Sequence, residues 1–408
     1  MEDATEQPSV SLPDDLTEEI FARMPAKSVQ RCRCLSRAWA ATLSSQGFVD
    51  RHLRLANRRG SPRLYILPEY GSRDTTVHAW SPGRPLAPVL RDNRLRRVVA
   101  VTGQCRGLVV LEADRPMSSI DFTYEVNNYV WNPSTGQITA LPKGKQAFGR
   151  WPHNHENLGI GYDTRIRKHK VVRLYCRGEL PPACEVYVLN SMGQWRPPAG
   201  AADRILPPGF ATNFCTDQSI FAQGHMYWVA EPDNKFNFER IIMSFSISDE
   251  EFEILPPPPV KMYPCQIREL DGRLCVFNNT DELKRSYDIW LLRDHQGGLW
   301  DLRCSIDLDT PPLADTQLKH SRSVIPLGSV DDARRLLLRP DLGWIKSESL
   351  DSHQLFMYRP ATGDVEDLLA GGGILTHHTM ARRVMAPYDE SLESTRNHDS
   401  RKLFVGQL

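Results

Sequence analysis

Twelve histidines and nine cysteines in 408 residues invite a search for metal or nucleophile chemistry. His153 and His155 stand one residue apart, as two ligands on one face of a strand would. His377-His378 lies near a glycine-rich stretch, Leu369 to Leu375. Neither pair has a carboxylate or cysteine at a spacing that completes a ligand set, so no metal and no cofactor is expected. Tyr175-Cys176 and Tyr263-x-Cys265 offer the tyrosine and thiol that copper-radical chemistry uses, and reduced core thiols explain them more simply. No G-x-S-x-G elbow and no phosphate-binding P-loop occurs. Asn132-Pro133-Ser134 has the outline of a glycan acceptor, which its proline disqualifies. These residue types in these patterns give no catalytic site, and the chain reads as a protein without chemistry of its own.

Composition agrees with that reading. Lys plus Arg and Asp plus Glu number 50 each, so no net charge argues for a nucleic-acid or membrane surface. There is no run of 18 apolar residues and no basic-then-apolar leader. The cysteines are odd in number and sparse, and none forms a C-x-x-C pair. Reduced thiols and a cytoplasmic or nuclear location are the expectation.

The residues able to do physical work are apolar ones at helical spacing. After ten polar residues, Asp14, Asp15 and Glu18 look like a capped helix start. Leu16, Ile20 and Met24 then recur every four residues with Phe21 beside them, and Pro25 ends the run. A second pattern carries Val29, Cys32, Leu35, Trp39 and Leu43, and fades at Ser44-Ser45-Gln46-Gly47. So small a unit cannot cover all these apolar residues internally. The surplus must meet the rest of the chain or another protein.

The stretch from Leu12 to Leu53 resembles an F-box. It carries that family's pattern at Leu12, Pro13, Leu16, Ile20, Met24, Pro25, Lys27, Ser28, Val29, Arg31, Arg33, Trp39, Phe48, His52 and Leu53. Cys32 and Ser36 depart from it, where an aromatic and a cysteine are common. The resemblance implies three short helices docking on a Skp-type adaptor of a cullin–RING ubiquitin ligase. It also implies an apolar contact from Leu12, Pro13, Leu16, Ile20, Pro25 and Val29. Phe21, Leu35 and Trp39 join that candidate set, although a tryptophan in so small a unit serves the core more often than an interface.

From about residue 63 the period changes from helix to strand. "YVWNPSTGQITALP", "QLFMYRPATGDVEDLL", "HAWSPGRPLAPVL", "IIMSFSISDEEFEILPPPP" and "CEVYVLNSMGQWRPP" all run apolar strand, tight turn, polar strand. "HKVVRLYC", "SIFAQGHMYWVA", "IRELDGRLCVFNN", "YDIWLLRD" and "RRLLLRPDLGWIK" are read as the inner strands of the same units, with hairpins at Gly224 and Asp271-Gly272. Six units between residues 63 and 386 have a mean period of about 50, the kelch-type propeller period. A large sandwich or two smaller β-domains are the alternatives. Pro256 to Pro259 read as a stiff connector between units, and Arg91, Arg94, Arg96 and Arg97 as a charged edge or an acidic-substrate contact.

"WNPSTGQITALP", "LGIGYDTRIRKHKVVRLY", "GHMYW" and "SFSISDEEFEILPPPP", in that order, resemble the F-box-associated domain of plant F-box proteins. That family is expected to form a kelch-like propeller that recruits substrate. The expected organisation is a disordered tail at 1–10, an F-box at 11–56, a linker at 57–62, a propeller of about six blades at 63–386 and a loose polar tail at 387–408. The function implied is substrate recognition for an SCF-type ligase, with substrate-binding residues unassigned. Two alternatives stay open. One is a binding propeller outside any ligase, capped by its own helices, with Leu16 and Ile20 buried against it. The other is an oxidase-like propeller with His, Tyr and Cys converging in its channel.

Overall fold

The protein was analysed as a computed structural model. It describes residues 13–57, 62–68, 73–118, 123–144, 156–177, 180–191, 193–199, 210–214, 219–232, 240–260, 265–281, 284–316, 318, 323–331, 333–341, 355–368 and 385–395. His153, His155, Tyr263, Leu369 to Leu375, His377 and His378 lie outside them.

Four helices come first: α1 (Asp14–Phe21), α2 (Ala26–Cys32), α3 (Arg37–Thr42) and α4 (Gln46–Ala56). This is one more than the resemblance implied. Ser36 and Ser45 are the reason. Each accepts a hydrogen bond from the backbone N–H three residues on, Trp39 and Phe48, and so starts a helix. The polar Ser44–Gly47 stretch therefore both follows the end of α3 and starts α4. At α1, Pro13 occupies the cap position without a side-chain cap, and Asp14 and Asp15 sit in the first turn, where the helix dipole favours them.

Six antiparallel sheets follow. Blade one pairs Met385–Tyr388, Arg63–Ile66, Thr76–Ser81 and Arg84–Arg91. Blade two holds Val98–Val101, Val109–Ser118, Thr123–Trp131 and Ile138–Ala140. Blade three holds Glu156–Asp163, Lys168–Arg177 and Leu180–Val188, and a bridge from Val186 to Arg196 marks its outer edge. Blade four holds His225–Pro232, Ile241–Ser246 and Phe252–Leu255, with Phe210–Phe214 and Ile220–Ala222 end to end on its inner edge. Blade five is Cys265–Leu270, Arg273–Asp281, Lys284–Asp294 and Leu299–Asp307. Blade six is Ser323–Val330, Arg335–Asp341, Phe356–Tyr358 and Val365–Asp367.

The ring closes by pairing its two ends. Arg63 faces Tyr388 and Ile66 faces Met385, so the strands at the two ends of the propeller share one blade. This closure removes the open edge a linear stack would leave. The apolar cores lie between blades. One cluster joins Tyr65 and Val77 of blade one to Val109 and Trp131 of blade two. Another joins Val172 and Leu174 of blade three to Met226 and Phe245 of blade four. No blade buries both faces alone, which is why the repeat must close.

The repeated strand–turn–strand copies are the outer halves of their blades. One segment read as an inner strand is not: Tyr287–Asp294 is the third strand of blade five, whereas Arg335–Asp341 is the second of blade six and lies in its inner half. The apolar residues Tyr287, Ile289, Leu291 and Leu292 are buried between neighbouring blades, and burial alone does not distinguish inner from outer strands.

The glycines of "LGIGYD" have a packing reason. A Cβ at Gly161 would fall 2.6 Å from Ile247 of the next blade, and one at Gly159 would collide with the Met226 side chain. Behind them, Lys170 is 5% exposed and its ammonium reaches Asp163 (2.8 Å), Glu250 (2.7 Å) and the Ile247 carbonyl (2.8 Å). One cation thus ties the first hairpin of blade three to the outer turn of blade four.

Strand direction sorts the connections onto two faces. Turns joining first to second strands (102–108, 164–167, 223–224, 271–272, 331–334) and third to fourth strands (82–83, 132–137, 247–251, 295–298, 359–364) emerge together, because antiparallel strands return to the same edge. The others start and end at the opposite edge of the described strands, and several are long in sequence: 67–75, 141–155, 308–322, 342–355 and 368–384.

Candidate functional site

The helical unit has an inner side and an outer side. Inside, Ala22, Ala26, Val29, Leu43, Phe48 and Val49 form a buried core. Outside, Leu16 is 54% exposed, Ile20 50% and Leu35 67%. Leu16 and Ile20 are four apart on α1 and so share one face. Pro13 and Pro25, at the two ends of the α1 segment, are exposed as well. Phe21 and Trp39 are half-buried and pack edge to face with centroids 5.0 Å apart. They brace α1 on α3 while keeping part of each ring at the surface.

The candidate contact set thus divides. Pro13, Leu16, Ile20, Pro25 and Leu35 present apolar surface, and Phe21 and Trp39 do so in part. Val29 does not. It is fully buried against Leu43 and Phe48, because α2 turns that side inward, and it belongs to the core. Leu12 lies outside the described residues.

Ionic contacts hold α1 in place. Arg51 of α4 reaches Glu18 at 3.0 Å and also Glu19. His52 is fully buried, and its Nε2 donates to the Met24 carbonyl at 2.8 Å, satisfying the chain just before Pro25. Burial holds the His52 pKa below its ordinary value.

The unit sits on the short-turn face of the propeller. Asp50 of α4 accepts from Arg106 in the first turn of blade two and from Arg167 in the first turn of blade three, the latter at 2.7 Å. Both arginines stand in the left-handed backbone region, at comparable places in adjacent blades. Burial pushes the Asp50 carboxyl up, and the bonds from Gln46, Arg106 and Arg167 outweigh it, so its pKa falls. Arg106 also stacks on Tyr162 at 4.2 Å. Lys27 donates to the Val89 carbonyl of blade one at 2.6 Å. A depression of about 590 Å³, lined in part by Arg33, Cys34, Ser44 and Gln137, remains between α2, α3 and blade two.

Beneath this junction lies His169, with its ring edge-on to Tyr162. Burial holds its pKa down at about 4 against an ordinary 6.5. The folded protein keeps it neutral while the unfolded chain takes a proton below pH 6.5. Stability from this group is therefore present above pH 6.5 and lost as pH falls toward 4. By pH 5 the loss is about 2 kcal/mol. Urea unfolding of wild type and His169→Gln at pH 7 and pH 5 checks this. The wild type should weaken more over that step than the variant, and equal slopes would refute the assignment.

The Arg91, Arg94, Arg96 and Arg97 cluster opens onto the opposite face, in the connection from blade one to blade two. Arg94 is paired with Asp92 and lies 5.9 Å from the Tyr129 ring centre. Pro256 to Pro259 lie in the connection from blade four to blade five, as the proline run implied. Tyr175 is buried with the Arg173 guanidinium over its ring, a core position. Among the described residues no group of three or more His, Cys, Asp or Glu side chains is placed to hold a metal ion.

Residues 97–323, more than half of the chain, match the F-box associated beta propeller domain family. The chain belongs to that family. Residues 10–51 match the F-box domain, so the helical unit is an F-box. Relatives in Arabidopsis thaliana are named as F-box proteins. A chain named as an F-box/kelch-repeat protein is 26% identical over 424 residues, covering 94% of this chain and 90% of its own. An F-box/LRR-repeat protein is 26% identical over 322 residues, covering 74% of this chain and 68% of its own. F-box protein CPR1 is 26% identical over 313 residues, covering 70% of each. An F-box followed by a propeller is the architecture of an F-box substrate receptor, an adaptor-type protein.

Proposed function

We propose that this F-box protein is the substrate-recognition subunit of an SCF-type cullin–RING ubiquitin ligase. Its F-box docks on a Skp-type adaptor, and its propeller holds a protein substrate. The observation that carries this reading is the exposed pair Leu16 and Ile20 on a helix whose other side is packed. An apolar helix face offered to a groove is a recurring mode of recognition. The cap reading requires these two residues to be buried against the propeller, and they are not.

The strands that the long connections join have those ends at the edge away from the F-box, and loops on a rigid scaffold are where recognition residues reside. Substrate would therefore sit on the face opposite the adaptor. The protein contributes no bond-making step. It holds substrate near a charged ubiquitin-conjugating enzyme and so raises the effective concentration of the acceptor lysine. Such work belongs in the cytoplasm or nucleus. Size-exclusion of the full chain mixed with a Skp-type adaptor tests the first half of the proposal. A one-to-one complex is expected, and separate elution at micromolar concentrations would reject it.

A further inference from the structure

The chain does not end its folded part at the closing strand. Residues 389–395 were expected to be loose, because "DESLEST" has one apolar residue and no period. They are packed instead, running between the F-box and the short-turn face. Leu392 is 3% exposed and joins the F-box core beside Val29, Leu43 and Phe48. Glu390 accepts from the Ala26 N–H at the start of α2 at 2.6 Å. Its backbone N–H donates to Asn57, and its carbonyl accepts from the Asn57 amide.

The other side of the segment is held by the propeller. The amide of Asn132, fully buried, donates to the carbonyls of Ser391 (3.1 Å) and Glu393 (2.9 Å). Asn190, at the same turn position in blade three, donates to the Ser394 carbonyl at 3.3 Å. Arg106 holds Glu393 at 2.8 Å and Asp50 together. At Gly107 (φ +79°) a Cβ would fall 2.4 Å from Ser391 and 2.6 Å from the Asp389 carbonyl. Only a glycine there lets the segment lie down.

We infer that residues 389–395 are a structural part of the F-box, a strap that completes its core and fixes its orientation on the propeller. The F-box is then not an autonomous plug on a linker. Among the described residues its one apolar contribution from outside, Leu392, arrives from some 330 residues away in sequence. This holds whatever the exposed helix face binds. On the function proposed above, it makes the distance from adaptor to substrate face a property of the fold and not of a flexible joint. A rigid span of matching length keeps the effective concentration of substrate high, whereas a loose one dilutes it.

The test is amide hydrogen exchange on the full chain, with no adaptor present. Leu392→Ala should speed exchange in α1 to α4 by about tenfold or more, while Arg273–Asp281 of blade five stays protected. Asn132→Ala, which loosens the strap from the propeller side, should raise cleavage by a protease between residues 57 and 63. Should Leu392→Ala prevent folding of the whole chain, Asn132→Ala alone decides. Wild-type exchange in the helices with unchanged cleavage would overturn the inference. Because neither readout uses the adaptor, failure here and failure of the ligase reading are distinguishable.

Discussion

Full-length protein carrying Leu16→Asp and Ile20→Asp should lose Skp-type adaptor binding by about a hundredfold or more, with its own stability little changed. In the free protein both side chains are about half exposed, so exchanging them for carboxylates disturbs no core. In a complex, burying each apolar side chain contributes about 1.5–3 kcal/mol, and forcing a carboxylate into its place costs more. Isothermal titration gives the affinity, and circular dichroism gives the helix content. Unchanged affinity would place the docking surface elsewhere. Lost helix content would mean that the pair serves the fold.

The second large effect is on stability. Lys170→Met should destabilise the propeller by about 3–5 kcal/mol, since removing one partner leaves buried charges unpaired. The carboxylates concerned are Asp163 and Glu250, 2% and 3% exposed. Arg196 would still hold Glu250, but Asp163 would keep only its turn N–H bonds and the Ser248 hydroxyl. Acid distinguishes this mechanism from lost packing. Burial alone would raise the Glu250 pKa, but bonds from Arg196, Lys170 and the Ala199 N–H outweigh it and hold the pKa at about 2. With the folded pKa depressed from 4.5, stability from Glu250 is present above pH 4.5 and lost as pH falls toward 2. The Lys170→Met protein should lose less over that window than wild type. Denaturant titrations at pH 7 and pH 3 measure both arms. A variant as stable as wild type at pH 7 would refute the role of the network.

Much of this molecule is written in local periods. Leu16, Ile20 and Met24 set α1, and the turn at Asn132 to Gly136 with its copies marks outer strand pairs. These signals need only residues within one turn or hairpin of each other, so they can be read without the fold. The order of strands within a blade is less legible. Tyr287–Asp294 carries buried apolar residues on both faces, Ile289 and Leu291 on one and Leu292 on the other, and nothing in such a run tells which neighbour lies inside. The split of the contact set was illegible for a related reason. Val29 and Ile20 are both apolar at helical spacing, and only the arrangement of α2 on α4 decides which is buried.

The strap was hidden most completely. "DESLEST" is polar because its burial is won by hydrogen bonds to its backbone and not by apolar area. One clue did exist: Asn132 and Asn190 hold the same turn position in the two blades the strap crosses, where blade six has Arg359. An amide there can satisfy carbonyls of a passing chain, and an exposed guanidinium does not serve that turn in blade six. The signal becomes readable only once the copies are aligned as blades.

On the function proposed above, one face of this protein meets the ligase and the other meets the substrate. The most direct measurement is hydrogen-exchange footprinting of the full chain with and without a Skp-type adaptor. New protection is expected in peptides covering 13–21 and 25–39, with none in the connections 67–75, 342–355 and 368–384. Protection appearing on those long connections, or none anywhere at saturating adaptor, would contradict it.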